Sequence, residues 1–264
     1  MFIKHAAFAA SLIMAAVAVA APASAEGPMK IKIATEGAYP PFNSVDSNGK
    51  LFGFDVDIAN ALCAEMKAEC ELVAQDWDGI IPGLIAKKYD VIIASMFITE
   101  ERKEKVAFTK PYYKAAMTYV MKKGADASVL DKPDLGGKSV GVQAGTTQAT
   151  FVEAKNPKAD IKQYPTQDEV NLDLAGGRLD MQVGDLVPML EWTEKTKDGA
   201  CCELVGKPIT DPKYVGDGVG MAIRKEDKAL ETKLNAALDA IVANGVYKTI
   251  NDKYFSLDIY KMER

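Results

Sequence analysis

The chain has 264 residues and carries 32 Lys and Arg against 37 Asp and Glu, a net charge of −5 at neutral pH. That acidic balance excludes an ordinary nucleic-acid surface, which is strongly basic. His5 is the one histidine and falls in an N-terminal leader, so the mature chain lacks imidazole, which excludes Ser-His-Asp and Cys-His catalysis and every zinc site built on histidine.

Residues 1–25, MFIKHAAFAASLIMAAVAVAAPASA, combine a basic start at Lys4, an apolar middle and the small-residue ending Ala23-Ser24-Ala25. This is the pattern of a secretory signal peptide cleaved before Glu26, and it implies export. Cleavage leaves 239 residues with 31 basic against 37 acidic side chains, because Lys4 is the only charged residue lost. No later stretch approaches the ~18 apolar residues of a spanning helix, so the mature chain is expected to stay out of the membrane. Its length suits one large domain or two lobes, and two lobes are the preferred reading.

From residue 31 onward, short β-type runs alternate with amphipathic helical stretches. Strands are expected at 31–34, 71–74, 91–94, 117–121, 139–143, 160–163, 179–183 and 219–223, with helices between, which argues for α/β units on largely parallel sheets. The segment GFDVDIANALC at 53–63 opens a helix, with Asp55 placed to cap free N–H groups and Asp57 near the positive helix end. In an exported protein Cys63 and Cys70 read as a disulfide pinning the end of this helix to the next strand. The run at 91–94 leads through Ser95, Met96 and Phe97 into ITEER at 98–102, where Arg102 taken alone reads as a solvated charge beside Glu100 and Glu101.

Pro111-Tyr112-Tyr113-Lys114 passes into a new strand with no helix between, and TDPKYVGDG at 210–218 is likewise extended and rich in turn residues. Both are expected crossings between lobes. Lobe one would then be discontinuous, 26–114 and 217–264, around lobe two at 115–212, with hinges near 112–117 and 210–218 and a cleft between the lobes.

After the strand at 139–143, Gly145-Thr146-Thr147-Gln148 opens a helix whose unpaired N–H groups make an anion site, and capping by Thr146 is compatible with that role. Gly136-Gly137-Lys138-Ser139 resembles the end of a phosphate loop but fails on spacing, because Lys132 stands where the first glycine is required. Gly216-Asp217-Gly218-Val219-Gly220 precedes a strand, whereas a dinucleotide fingerprint follows one. The adjacent Cys201 and Cys202 read as a redox switch, as two reduced thiols or as a vicinal bridge without a role. The clearest helix spans 227–244, with Leu230, Leu234, Leu238 and Ile241 on one face and a stop at Asn244-Gly245.

Several separated motifs agree with one another: ATEGAYPPF at 34–42, GFDVDIANALC at 53–63 followed by Cys70, DWDGIIPGL at 76–84, ITEER at 98–102, GVQAGTTQ at 141–148 and GD at 184–185. Together they resemble the polar-amino-acid family of bacterial periplasmic solute-binding proteins, the soluble receptors of ABC importers. The likeness runs from about 29 to 260 and is nearest the arginine, lysine/arginine/ornithine and opine receptors. It implies an α/β fold of two lobes, each a mixed, mostly parallel sheet flanked by helices, joined by a two-strand hinge and closing on one amino acid.

The same resemblance assigns the site. Arg102 matches the carboxylate-binding arginine, whose planar fork suits a bidentate pair, with Thr146 and Thr147 completing the anion site. Asp185 matches the acid that pairs with the α-ammonium, and Ser95 a hydroxyl that helps it. Glu36 lies deep in the family pocket with Tyr39 and Trp77 on either side, a channel suited to a long cationic side chain; read from the residues alone, the two aromatics are equally plain core. Gln143 adds an amide for a guanidinium, as in arginine receptors. Two positions depart from the pattern: Ala94 replaces a serine, and Phe97 stands where relatives carry serine, aspartate or glycine, so the α-ammonium loses a polar neighbour.

The implied function is a monomeric periplasmic receptor that captures a basic amino acid, arginine or a relative such as ornithine, lysine or an opine, and delivers it to a cognate inner-membrane permease. No metal, cofactor or catalytic residue is expected. Two alternatives remain on this scaffold: a dehydratase-like enzyme relying on Glu36, Asp185 or a lysine for acid-base chemistry, and a sensor presenting its ligand to a membrane chemoreceptor or kinase.

Overall fold

The computed structural model describes Met1 and residues 27–262; the rest of the expected leader, with Lys4 and His5, lies outside the described residues. The first half of the chain runs through β1 (Lys30–Thr35), a small antiparallel sheet of β2 (Ala38–Tyr39), β3 (Asn43–Val45) and β4 (Leu51–Phe52), then α1 (Phe54–Glu65), β5 (Glu69–Ala74), α2 (Trp77–Ile85), β6 (Val91–Ile92), α3 (Glu100–Lys103) and β7 (Ala107–Phe108). Beyond residues 111–116 come β8 (Met117–Lys122), β9 (Ser139–Gln143), α4 (Thr147–Lys155), β10 (Asp160–Tyr164), α5 (Gln167–Gly176), β11 (Met181–Asp185), α6 (Leu186–Lys195) and β12 (Cys202–Ile209). The chain then passes through α7 (Pro212–Val215) to β13 (Ala222–Ile223), α8 (Lys228–Ala243) and α9 (Val246–Tyr254).

These elements build two lobes on two five-stranded sheets, ordered β5-β1-β6-β13-β7 and β10-β9-β11-β8-β12. In each, a central strand pairs in parallel with two neighbours, β1 with β5 and β6, β9 with β10 and β11. Helical crossovers join these parallel strands, as parallel pairing requires. The remaining pairings, made by β13 in one sheet and β8 in the other, are antiparallel. Strand alternation puts Ile31 and Ile33 in the main core and Ala34 and Ile92 in a second cluster on the opposite face, against Ile80 and Leu84 of α2. A third cluster, with Val120, Val170, Leu174 and Met189, covers the outer face of the second sheet.

The first sheet uses strands from before and after the second, so the chain passes between lobes twice. The two passages run side by side: Tyr112 donates its N–H to the Val219 carbonyl and Val219 donates back to Tyr113, at 2.9 and 3.0 Å. Phe42, Phe54, Tyr112, Tyr113 and Phe255 pack around them as stacked and edge-on rings. Such pairs add about 0.5–1.5 kcal/mol each beyond the area they bury. The C-terminal tail ties down the first passage, with Lys114 donating to the Ile259 carbonyl at 3.0 Å.

Cys63 of α1 and Cys70 of β5 are bonded to each other, as expected for an exported chain. The expected cap at Asp55 is not formed. Gly53 is the N-cap of α1, with no side-chain cap bond, and its φ of 127° with a Cβ that would lie 2.3 Å from the Phe42 carbonyl oxygen admits only glycine. Asp55 is instead wholly buried and accepts from Asn43 Nδ2, Ser95 Oγ and Tyr112 Oη at 2.9, 2.9 and 2.7 Å. Burial pushes its carboxyl up to about 6, against the lowering effect of those donors. Asp57 sits in the first turn of α1 and pairs with Lys253 at 2.6 Å.

Strand ends differ from the periodic reading. The run at 91–94 is paired only over Val91–Ile92, because the chain turns at Ser95, which adopts a φ of 53°. β11 extends to Asp185, two residues beyond the expected end, and β12, unmarked by alternation, supplies an edge strand. Among the described residues no helix is long and apolar enough to cross a membrane.

Candidate ligand-binding site

The carboxyl ends of β1, β6, β9 and β11 face the interval between the lobes, where parallel α/β sheets place ligands. Glu36 follows β1, Ser95 and Phe97 follow β6, Gln143 ends β9 and Asp185 ends β11. Trp77 opens α2, Thr146 caps α4, Thr147 begins it, and Arg102 lies in α3. These side chains, with Tyr39, line one pocket. All ten residues expected from the sequence therefore meet in one place.

Arg102 is turned inward by a single helical turn. Thr99 caps α3 by accepting the Arg102 N–H at 3.3 Å, which leaves Glu100 and Glu101 outside and Arg102 only 8% exposed. Its Nη1 donates to the Phe97 carbonyl at 3.1 Å, and the guanidinium carbon lies 5.3 Å from the Trp77 ring centroid. Burial lowers its pKa to about 10, with Asp185 opposing, so it is a cation at neutral pH. The reading of Arg102 as a solvated charge therefore fails.

Asp185 is also buried and caps nothing: α6 has no side-chain cap bond. Its Oδ2 accepts from Tyr39 Oη at 2.8 Å, and Gln148 Nε2 donates to its Oδ1. Burial raises its carboxyl to about 7, while Tyr39, Arg102 and Gln148 pull downward. Glu36 accepts from Gln143 Nε2 at 2.6 Å and is likewise raised to about 7 by burial, with Asp168, Asp76 and Asp78 adding negative potential around it. The pocket therefore carries one cationic and two acidic side chains, each desolvated.

Three hydrogen bonds join the lobes across this pocket: Tyr39 to Asp185, Gln143 to Glu36, and Trp77 Nε1 to the Gly145 carbonyl at 3.1 Å. Gly145 has a φ of 66°, and a Cβ there would sit 3.2 Å from Asp78, so glycine allows the close approach. Thr146 Oγ1 accepts from the Ala149 N–H at 3.2 Å and donates to the Gln143 carbonyl at 2.7 Å, confirming it as a cap at the mouth of the site.

Ser95 lines the pocket but donates its hydroxyl to Asp55 rather than to Asp185. Phe97 is 2% exposed and bridges Val219. Its carbonyl is held by Arg102, and in an extended strand the N–H of the same residue faces the same side. Tyr39 belongs to the core cluster and also lines the pocket.

Sequence reasoning missed Gln148 and Gln167, which also line the pocket. Gln148 lay inside a quoted motif, one helical position past Thr147. Gln167 follows Thr166, which forms a capping box with Glu169, and that T-x-x-E spacing was the available signal for a helix start facing the cleft.

Residues 31–257 match the bacterial extracellular solute-binding proteins, family 3. The chain belongs to this family. It is 48% identical over 233 residues to the L-arginine-binding protein of Pseudomonas aeruginosa, covering 87% of this chain and 89% of that protein. The ABC transporter arginine-binding protein 1 of Escherichia coli is 37% identical over 244 residues, covering 92% and 98%. Among solved structures, the arginine-specific periplasmic binding protein of Salmonella typhimurium superimposes with a TM-score of 0.78 at 34% identity, covering 86% of this chain and all of that one. The two-lobed architecture is thus the family-3 receptor fold.

Proposed function

We propose that this family-3 protein is a periplasmic receptor of an ABC importer, not a catalyst, which closes its lobes on a free basic amino acid, arginine foremost, and presents it to a membrane permease. The observation that carries this reading is the charge set of the pocket, with Arg102, Asp185 and Glu36 as its charged side chains. Counted as ionised, they sum to −1. A basic amino acid has one carboxylate and two cationic groups, so it is the +1 complement, with each charge finding an opposite partner. Arg102 and the N–H groups opening α4 would take the carboxylate, Asp185 the α-ammonium, and Glu36 with Gln143 the side-chain cation, between Tyr39 and Trp77. The resemblance of the chain to arginine-binding relatives supports the same assignment.

The corresponding lobes are 26–114 with 217–264, and 115–212, hinged near 112–117 and 210–218. Sheet membership supports this division, since β13 joins the first sheet and β12 the second. The buried Phe97 ring fills the position where a smaller residue would leave room for a substituent on the α-nitrogen, which favours free arginine, ornithine or lysine over an opine. Calorimetric titration with arginine, ornithine, lysine, citrulline and octopine tests the proposal. Arginine should bind more tightly than its neutral near-isostere citrulline and than octopine; a preference for citrulline would overturn the cationic pocket, and a preference for octopine the free amino acid.

A further inference from the structure

We infer that Cys201 and Cys202 are a redox pair that closes into a vicinal disulfide when the protein meets a small-molecule disulfide, a modification site remote from the pocket lining. They are the free cysteines among the described residues, and their sulfurs lie 2.7 Å apart. A disulfide bond measures about 2.0 Å, so closure brings the sulfurs about 0.7 Å nearer, with the backbone between the adjacent residues adjusting to admit the ring.

The surrounding turn holds this juxtaposition. Gly199 donates its N–H to Thr196 Oγ1 at 3.0 Å, and a Cβ on Gly199 would strike the Trp192 carbonyl at 2.2 Å. On the other side, Lys123 donates to the Cys201 carbonyl at 2.9 Å. The two side chains differ in access: Cys201 is exposed, whereas Cys202 is buried against Val120, Leu174 and Met189. No third His, Cys, Asp or Glu joins them in a metal-binding group among the described residues.

Access fixes the order of events. The exposed Cys201 thiolate attacks one sulfur of the oxidant disulfide, expels a thiolate and forms a mixed disulfide. Cys202 then attacks Cys201 Sγ, the bond to the small thiol breaks, and a second thiolate leaves. Two electrons pass from the cysteine pair to the oxidant, and the two cysteine protons end on the released thiols. Burial and the neighbouring Cys201 push the Cys202 thiol up to about 12, so it is the weaker first nucleophile, and its attack in the second step relies on its closeness to Cys201 Sγ. Closure removes both nucleophiles from the end of the turn and the start of β12, the outer strand of its sheet, where an exposed thiol otherwise invites cross-linking between chains.

The test uses purified full-length protein in which this pair is reduced, exposed to oxidised glutathione, acid-quenched, alkylated in denaturant and mapped on the peptide spanning residues 198–213. The expected product carries no alkyl group and no glutathione and is lighter than the dithiol peptide by two hydrogens. Cys202→Ala, which keeps the site apolar, should stop at the glutathione adduct on Cys201. Two alkylated cysteines, a persistent adduct in the unsubstituted protein, or a disulfide-linked dimer would each overturn the pair.

Discussion

Arg102 lies over the Trp77 ring, holds the Phe97 carbonyl and faces the same pocket as Asp185. Under the proposed function it is the main partner of the ligand carboxylate. Arg102→Ala should therefore weaken arginine binding by about 2–5 kcal/mol, since the anion would be buried without its charge partner. Calorimetry reads this, and unaltered affinity in a natively folded variant would remove Arg102 from the carboxylate site. At the opposite end, Glu36→Gln keeps shape and hydrogen bonding but removes charge. It should cost arginine about 1.5–3 kcal/mol, the range for hydrogen bonds to charged groups, and citrulline far less; equal losses in parallel titrations would show that Glu36 does not read ligand charge. The residues that sequence exposed most clearly were those in motifs. Arg102 alone looked solvated because burial here depends on Thr99 capping one short turn. Asp55 looked like a cap because its three donors come from Asn43, Ser95 and Tyr112, at separations of 12, 40 and 57 residues.

Among the elements, the returning passage between lobes is the most tightly specified. Gly216 has a φ of 52°, and a Cβ there would fall 1.6 Å from the Ile98 carbonyl oxygen. Asp217 donates to that same carbonyl at 3.2 Å, and Ile98 donates to Gly218 at 2.8 Å. The passage is thus clamped to the segment leading into α3 and Arg102. Gly216→Ala combines unfavourable backbone with an overlap that the clamped chain cannot relieve locally, so it should destabilise the protein by about 2–4 kcal/mol. Urea unfolding measures the loss, and an unchanged midpoint would mean that this passage is not clamped. α8 was legible because Leu234, Leu238 and Ile241 fall on one buried face, and β1 and β9 because each is a short run whose Ile or Val residues are buried. β12 was not, since its residues alternate poorly and its pairing with β8 shifts register between Val205 and Ile209. β6 looked longer than it is because Ile93 and Ala94 stay buried after the ladder ends.

At the scale of the whole molecule, lobe-to-lobe contact and proton binding are linked, because the two raised acids sit where the lobes meet. Asp185 is faced by Tyr39, Gln148 and Arg102, and Glu36 by Gln143 with Asp168, Asp76 and Asp78 nearby. Each acid rises to about 7 in the folded chain, from ordinary values of 3.8 for Asp185 and 4.5 for Glu36. The folded protein therefore retains protons that the unfolded chain has already released, and stability falls as pH climbs from about 4 to about 7. Above that range both states are ionised and the penalty is constant. A bound ammonium and guanidinium favour the ionised acids, so binding at pH near 6 must expel protons, and arginine affinity should rise between about pH 5 and pH 8 and then level. Arg102, still cationic until about 10, does not contribute across this interval. Titrations of arginine in buffers of different ionisation enthalpy separate proton release from intrinsic heat. Net release near pH 6 that vanishes near pH 8.5 is the expected result. Proton uptake near pH 6, or affinity independent of pH, would mean that Asp185 and Glu36 are already ionised before the ligand arrives.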